Sequence, residues 1–264
     1  MKIIHLSDPH IEPEILFDID SIKRFKSALN HIKSNHKDAD LFIITGDLTH
    51  FGKERSYEEF DLILNELNFP KYLYPKLLMG NHDNRNIFKK KFTNYPTDKN
   101  GFIQYFEDRT NNRFVFLDTN QADTDQGHFC NQRQKWLIDI LKESDDKSVY
   151  LFMHHNPLPL TYLSNDQIGL QQRKEFKSIL NNFKKTIKHI FFGHQHITVS
   201  GNYLGIPFSS PRSTWSPLVP NFSKKYRLGI ANTDPNYNVI LIKEDSLVVH
   251  SEDFLKTNIN WFEN

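Results

Sequence analysis

"DLFIITGD", residues 40–47, is a short apolar run that turns polar within three residues. Leu41, Phe42, Ile43 and Ile44 are too few for a buried helix and rich in β-branched and aromatic character, so the run reads as a buried strand. The same texture recurs in "KIIHLSD" (2–8), "YLYPKLLMGNHD" (72–83), "NRFVFLDTN" (112–120), "SVYLFMHHN" (148–156) and "HIFFGHQH" (189–196). Between several of these runs, apolar residues fall at helical spacing: Ile22, Phe25, Leu29, Ile32; Phe60, Ile63, Leu64, Leu67; Trp136, Leu137, Ile140, Leu141; and Phe176, Ile179, Leu180, Phe183. Alternating strands and helices predict an α/β fold with the sheet layered between helices. After residue 197 shorter pieces follow, "VSGNYLGIPFSS", "YNVILIKED" and "SLVVHSEDF", separated by Pro, Gly and Asp turns. They predict a second, antiparallel sheet packed on the first.

The chain of 264 residues has 38% hydrophobic residues and 22 Phe, ample material for a core. No internal repeat or Gly/Ser linker divides it, so residues 1–264 are expected to form a single domain. With 33 basic against 32 acidic side chains the net charge is +1, which provides no global field for nucleic acid and disfavours a dedicated DNA binder. No apolar run approaches the roughly 20 residues of a membrane span. The start "MKIIHLSD" meets His5 and Asp8 too soon for a secretory signal. The single cysteine, Cys130, suits a reducing compartment and reads as an ordinary residue at the front of a helix. A cytoplasmic protein is the resulting expectation, with a homo-oligomer left open.

Polar residues concentrate where the apolar runs end. "SDPH", "TGD", "GNHD", "MHHN" and "GHQH" close five of the runs, at the carboxyl ends where open α/β sheets place ligands. Of the 13 histidines, His10, His82, His154, His155, His194 and His196 fall in or beside these ends. Asp8 and His10 are two apart, as are His194 and His196; in extended backbone each pair projects to one side and can reach one ion. Either pair alone reads equally well as a surface turn. With Asp47, Asn81 and His154 they make seven oxygen or nitrogen donors, more than one tetrahedral ion needs, and without the cysteines of a structural zinc site. Two ions sharing a carboxylate fit better. The mixture of imidazole, carboxylate and amide points to manganese, iron, zinc or cobalt. Two such ions, divalent or trivalent and about 3.5–4 Å apart, are the usual means of hydrolysing phosphate esters. The leaving group still needs a proton, and His82, next to Asn81, is placed to give it.

The ordered set "DPH", "GD", "GNHD", "HH" and "GHQH" resembles the motifs D-x-H, G-D, G-N-H-[DE], H and G-H-x-H of the calcineurin-like metallophosphoesterases. The resemblance implies a four-layer αββα sandwich, two mixed β-sheets flanked by helices, with a dinuclear site at the strand ends. It implies that Asp8, His10 and His196 bind one metal, that Asn81, His154 and His194 bind the other, and that Asp47 bridges. His82 would contact the phosphate and the leaving group. "GDLTHFGKERSYEEF" lacks the G-D-x-x-D-R-G pattern of Ser/Thr protein phosphatases. It is similar instead to the bacterial cyclic-nucleotide phosphodiesterases and glycerophosphodiesterases, as are "FMHHNPLPL" with Asp166, "GHFCNQRQKWLIDIL" and "SSPRSTW". Asn156 stands where those relatives commonly carry proline, and Trp215 near where they often carry Cys or His.

The resemblance thus implies a metal-dependent hydrolase that opens a small-molecule phosphodiester through a metal-bridging hydroxide. A phosphomonoesterase or nucleotide pyrophosphatase of the same fold, and a non-catalytic metal-binding scaffold, are the alternatives. His155 reads as a substrate-side group or as a histidine packed on the opposite strand face. Asp83 is expected to orient His82 or to hold its turn through backbone amides. Asp118 suits a turn. Arg212 and Trp215 are candidates for a phosphate contact and for stacking on a base, beside the plainer readings of surface and core. His5, His50, His128 and His189 have no partner by spacing, although His50 lies three residues past Asp47.

Overall fold

The computed structural model describes residues 1–160, 166–220, 222, 229–230 and 233–256. The strands are β1 (Lys2–Leu6), β2 (Leu41–Ile44), β3 (Lys76–Leu77), β4 (Tyr105–Arg109), β5 (Asn112–Phe116), β6 (Ser148–Phe152), β7 (Ile187–Phe191), β8 (Val199–Tyr203), β9 (Ile206–Ser210), β10 (Asn236–Ile242) and β11 (Leu247–Asp253). The helices are α1 (Ser21–Asn35), α2 (Glu54–Leu67), α3 (Arg85–Lys91), α4 (Asn131–Lys142) and α5 (Arg173–Phe183).

Two mixed sheets form, in the orders β11-β10-β1-β2-β3 and β4-β5-β6-β7-β9-β8. The strands after residue 197 therefore do not make a sheet of their own, contrary to the sequence expectation. β9 joins parallel to β7 in one sheet, with β8 outside it at the edge, and β10 joins antiparallel to β1 in the other. Texture identifies strands but carries no information on which edge accepts them. Neither α3 nor β4 was anticipated, and the long run 72–83 supplies only the two residues of β3.

Burial explains the layering. Strand side chains alternate faces, and in β1 and β2 Ile3, Leu41 and Ile43 face the interior between the sheets, where they meet Phe114, Phe116, Phe152 and Phe191. Their neighbours Ile4, Phe42 and Ile44 face the other way and pack on Phe25, Leu29 and Ile32 of α1 and Phe60 and Ile63 of α2. On the second sheet Val115, Val149, Leu151 and Ile190 likewise cover Leu137 and Leu141 of α4 and Phe176 and Leu180 of α5. Both faces of the central strands are buried, which is why these strands read as unbroken apolar runs. Asp20 starts α1 by accepting from the Lys23 amide at 2.9 Å, and Asn84 starts α3 by accepting from Asn86 and Ile87. Among the described residues no helix is long and apolar enough to cross a membrane.

Candidate metal centre

β1 runs parallel to β2, and β5, β6 and β7 run parallel in the other sheet, so their polar carboxyl ends emerge along one edge of the sandwich. The backbone there is tightly turned. Asp8, His10, Asp47, His194 and His196 all have positive φ, between 46° and 67°. This left-handed conformation is uncommon for residues with a side chain and gathers at functional sites. It also corrects the extended geometry expected for the Asp8/His10 and His194/His196 pairs: turns, not strand pleats, bring these side chains together. Gly193 lets the two sheets meet, because a Cβ there would lie 1.9 Å from Ser7 Oγ and 2.8 Å from Asp8 Oδ2.

The structure brings all seven sequence-derived donors into one cluster, six of them buried and Asn81 half-buried. Asp47 Oδ2 lies 3.4 Å from both His10 Nε2 and His154 Nε2, between the two groups. On one side His10 Nε2 is 3.1 Å from His196 Nε2, which is 3.5 Å from Asp8 Oδ1. On the other, Asn81 Oδ1 is 3.0 Å from His154 Nε2 and 2.9 Å from His194 Nδ1.

The outer nitrogens decide what these atoms can do. His154 Nδ1 donates to the Thr45 carbonyl at 2.7 Å, His196 Nδ1 to Ser216 at 2.7 Å, and His194 Nε2 to Ile168 at 3.1 Å. A carbonyl only accepts, so each of these nitrogens carries the hydrogen, and in a neutral ring the inward nitrogen holds a lone pair. Burial pushes the His194 pKa down to about 3, with the nearby His154 adding to the effect, so its ring is neutral. Its Nδ1 lone pair therefore faces the Asn81 carbonyl oxygen, an acceptor opposite an acceptor, while Asn81 Nδ2 is turned toward Asp125 at 3.5 Å. A cation between them satisfies both. Burial opposes charge on His154, but the carboxylates of Asp47 and Asp8 push its pKa up to about 9. Burial likewise works against His196 while Asp8 raises it. The two carboxylates thus draw positive charge into the cluster, which metal ions supply as well as protons do. Outward hydrogen bonds that fix the tautomer of an inward-facing imidazole are the usual surroundings of histidine ligands. Asp8, His10, Asp47 and His196 form one group able to hold an ion, and His154 and His194 belong to a second.

His82 stands beside this cluster. Its Nδ1 donates to the His50 carbonyl at 2.7 Å, which leaves Nε2 as the free ring nitrogen, and its backbone amide donates to Asp47 Oδ1 at 2.8 Å. Asp83 does not touch the His82 ring. It holds the turn, accepting from the amides of Gly80 (2.9 Å), Leu48 (3.1 Å) and Thr49 (3.2 Å) and from the Tyr57 hydroxyl (3.0 Å). Burial, and then the charge of Asp47, push its pKa up to about 6 against the pull of these donors. His155 is packed behind the cluster, with Nδ1 2.8 Å from Thr119 Oγ1 and its ring against His154 and His194.

Arg212 is paired with Asp253 on β11 and is not among the residues lining the cavity at His82. Trp215 is buried, its ring 4.9 Å from His10 and 5.0 Å from His50, so it braces these histidines rather than offering a free face to a base. Four partners escaped the sequence reading: the carbonyls of Thr45, Ile168 and Ser216, and Asn120, whose amide donates to the carbonyls of Gly80 and Asp83 at 2.6 and 2.9 Å. Backbone acceptors leave no trace in residue type. Next to His82 and Asn81 opens a cavity of about 470 Å³ lined by Phe51, Asn84, Arg85, Asn120, Asp123 and Asp125 among others. Among the described residues its one arginine is spent: Arg85 bonds both oxygens of buried Asp118 at 2.8 Å and the Asn120 carbonyl at 2.9 Å.

Comparison with known proteins gives the family and the fold. A relative from Rhodopseudomonas palustris, named a probable cyclic nucleotide phosphodiesterase, is 29% identical over 97% of this chain and 93% of its own. One from Arcobacter nitrofigilis, named a probable glycerophosphodiester phosphodiesterase, is 28% identical over 74% of this chain and 72% of its own. The fold is that of a dimetal phosphatase from Danio rerio, with a TM-score of 0.70, 14% identity and 97% of both chains covered. The sequence model of the calcineurin-like phosphoesterases matches residues 1–198. With these motifs, this sandwich and this match over most of its length, the chain belongs to the calcineurin-like phosphoesterases, a family of metal-dependent hydrolases.

Proposed function

We propose that the chain is a dinuclear-metal phosphodiesterase acting on a small molecule, a cyclic nucleotide or a glycerophosphodiester. The observation that carries the metal reading is the His194 Nδ1 lone pair held 2.9 Å from the Asn81 carbonyl oxygen. Asp8, His10 and His196 would hold one ion, Asn81, His154 and His194 the other, and Asp47, equidistant from His10 and His154, would serve both. The donor set suits manganese, iron, zinc or cobalt. Two bound ions would lower the pKa of a water and stabilise charge on the phosphoryl oxygens.

The chain's own residues do the rest. Asn81 and His82 form the cavity wall nearest the cluster and orient the phosphate. With Nδ1–H committed to the His50 carbonyl, a protonated His82 has one proton to give, at Nε2. It passes to the alkoxide oxygen as the P–O bond breaks, and water supplies the oxygen that stays on phosphorus. The cavity favours a diester over a monoester. Among the described residues it presents Asp123 and Asp125 and no uncommitted cationic side chain, so a monoanionic diester meets less repulsion than a dianionic monoester. Similarity to relatives named for cyclic nucleotides and for glycerophosphodiesters supports the same class.

The test is a hydrolysis panel with added manganese: bis-para-nitrophenyl phosphate, para-nitrophenyl phosphate, cyclic AMP and glycerophosphoethanolamine. Diesters should lead. Preference for the monoester overturns the diester assignment, and no turnover with any metal supports a scaffold instead. His82→Ala should keep its metal and lose turnover about 10²–10⁴-fold, whereas Asp47→Ala should lose metal; equal metal loss in both removes His82 as the acid.

A further inference from the structure

Outside the strand-end cluster, a second group of ligating side chains gathers where α1 ends. His31 lies on the last turns of α1, His36 caps the helix, Glu252 lies on β11 and Tyr237 on β10. The Tyr237 hydroxyl is 2.7 Å from His31 Nδ1 and 2.8 Å from His36 Nε2. A ring nitrogen of each histidine and a carboxylate oxygen of Glu252 lie within 4.8 Å of one another. We propose that His31, His36 and Glu252 form a zinc site, with the Tyr237 phenol or a water as the fourth donor, that staples the end of α1 to β11.

Two imidazoles and one carboxylate are a recurrent zinc donor set. Tetrahedral bonds of about 2.0–2.1 Å put ligand atoms about 3.3 Å apart, so the present spread of at most 4.8 Å must close by no more than about 1.5 Å. Glu252 is only half-buried and has the side-chain freedom to supply that movement. His36 is buried, with its Nε2 held 2.8 Å from the Tyr237 hydroxyl at the centre of the group. The Lys2 ammonium does not block a cation, because it is engaged 2.7 Å from Asp38. The staple has a mechanical reason to exist. Among the described strands β11 is an edge strand with β10 as its one ladder partner, and the site ties it to a helix that packs on the same sheet. The alternative occupant of this space is a proton relay, in which the phenol donates to one ring and accepts from the other.

The experiment uses the full chain, stripped with chelator, equilibrated with Zn²⁺ and desalted, with zinc per chain read by elemental analysis. Asp47→Ala serves as a second background in which the strand-end cluster is disabled. His31→Gln and Glu252→Gln, each alone, should bind one zinc fewer than their parent in either background. In the Asp47→Ala background both should lose the zinc-dependent rise in thermal midpoint; in the wild-type background both should leave phosphodiester hydrolysis unchanged, and in chelator both should match the parent midpoint. Unchanged zinc content and unchanged zinc-dependent stabilisation in both variants would overturn the site and leave the relay. The inference does not depend on the proposed activity, because it is read from metal content and melting.

Discussion

Gly80→Ala tests whether the placement of Asp47 matters. A Cβ at residue 80 would lie 2.1 Å from Asp47 Oδ1 and 2.2 Å from the Asp47 backbone nitrogen. The carboxylate could swing away from the first contact, but the second is backbone. Cβ contacts below 3.0 Å essentially never occur, so 3.0 less 2.2 leaves at least 0.8 Å by which the ends of β2 and β3 must part. Forcing extra volume into a packed site costs about 1–3 kcal/mol, and a misplacement near 1 Å costs about 10²-fold in turnover. Gly80→Ala is therefore expected to lose about 1–3 kcal/mol of stability and about 10²-fold of activity. Gly205→Ala is the control: φ there is +88° with nothing within 4 Å, so strain alone should cost about 1–2 kcal/mol with turnover intact. Urea denaturation, metal content and diester hydrolysis measured on both variants check the pair. Wild-type turnover and metal content in Gly80→Ala would refute the placement of Asp47 as the shared donor.

Two further predictions concern stability. Burial pushes the His189 pKa down to about 3, so below pH 6.5 the unfolded chain takes up a proton that the folded chain refuses. Stability from this residue is complete above pH 6.5 and drains away toward pH 3, by about 1.4 kcal/mol per unit. His189→Gln should make the acid limb of a pH-resolved urea titration shallower by that slope, and an unchanged limb would contradict it. Asp118 is fully buried, accepts two bonds from Arg85 and lies 3.5 Å from the Arg133 guanidinium. Asp118→Asn strands two cations and should cost about 3–5 kcal/mol by urea midpoint; a loss under about 1 kcal/mol would show that the pair is not relied upon.

Much of this fold is legible in local pattern. The four helices predicted from spacing are α1, α2, α4 and α5, because each buries one stripe on one sheet. The strand runs were visible because both of their faces are covered. What escaped is non-local: β4 carries alternating partly exposed residues and pairs only with β5, and α3 is a seven-residue helix whose one buried side chain, Phe88, leaves no periodic signal. At the strand ends the residue types were readable, but not the left-handed turns at Asp8 and His194. Nor could the destination of Arg212 be foreseen, since Asp253 lies 41 residues away.

The strand-end cluster draws Asp8, Asp47 and Asn81 from one sheet and His154, His194 and His196 from the other. Among the described residues no β-ladder joins the two sheets, so their relative slide is set by side-chain packing across the Phe114–Phe116–Phe152–Phe191 layer and by single bonds at the rim, such as His154 Nδ1 to the Thr45 carbonyl. The donor cluster is therefore a vernier for that slide. A methylene removed deep in the aromatic filling, far from any phosphate, should be read out first as weakened metal affinity, before it appears as a loss of folding. Variants found by screening for metal dependence will then map onto the sandwich filling as well as onto the motifs.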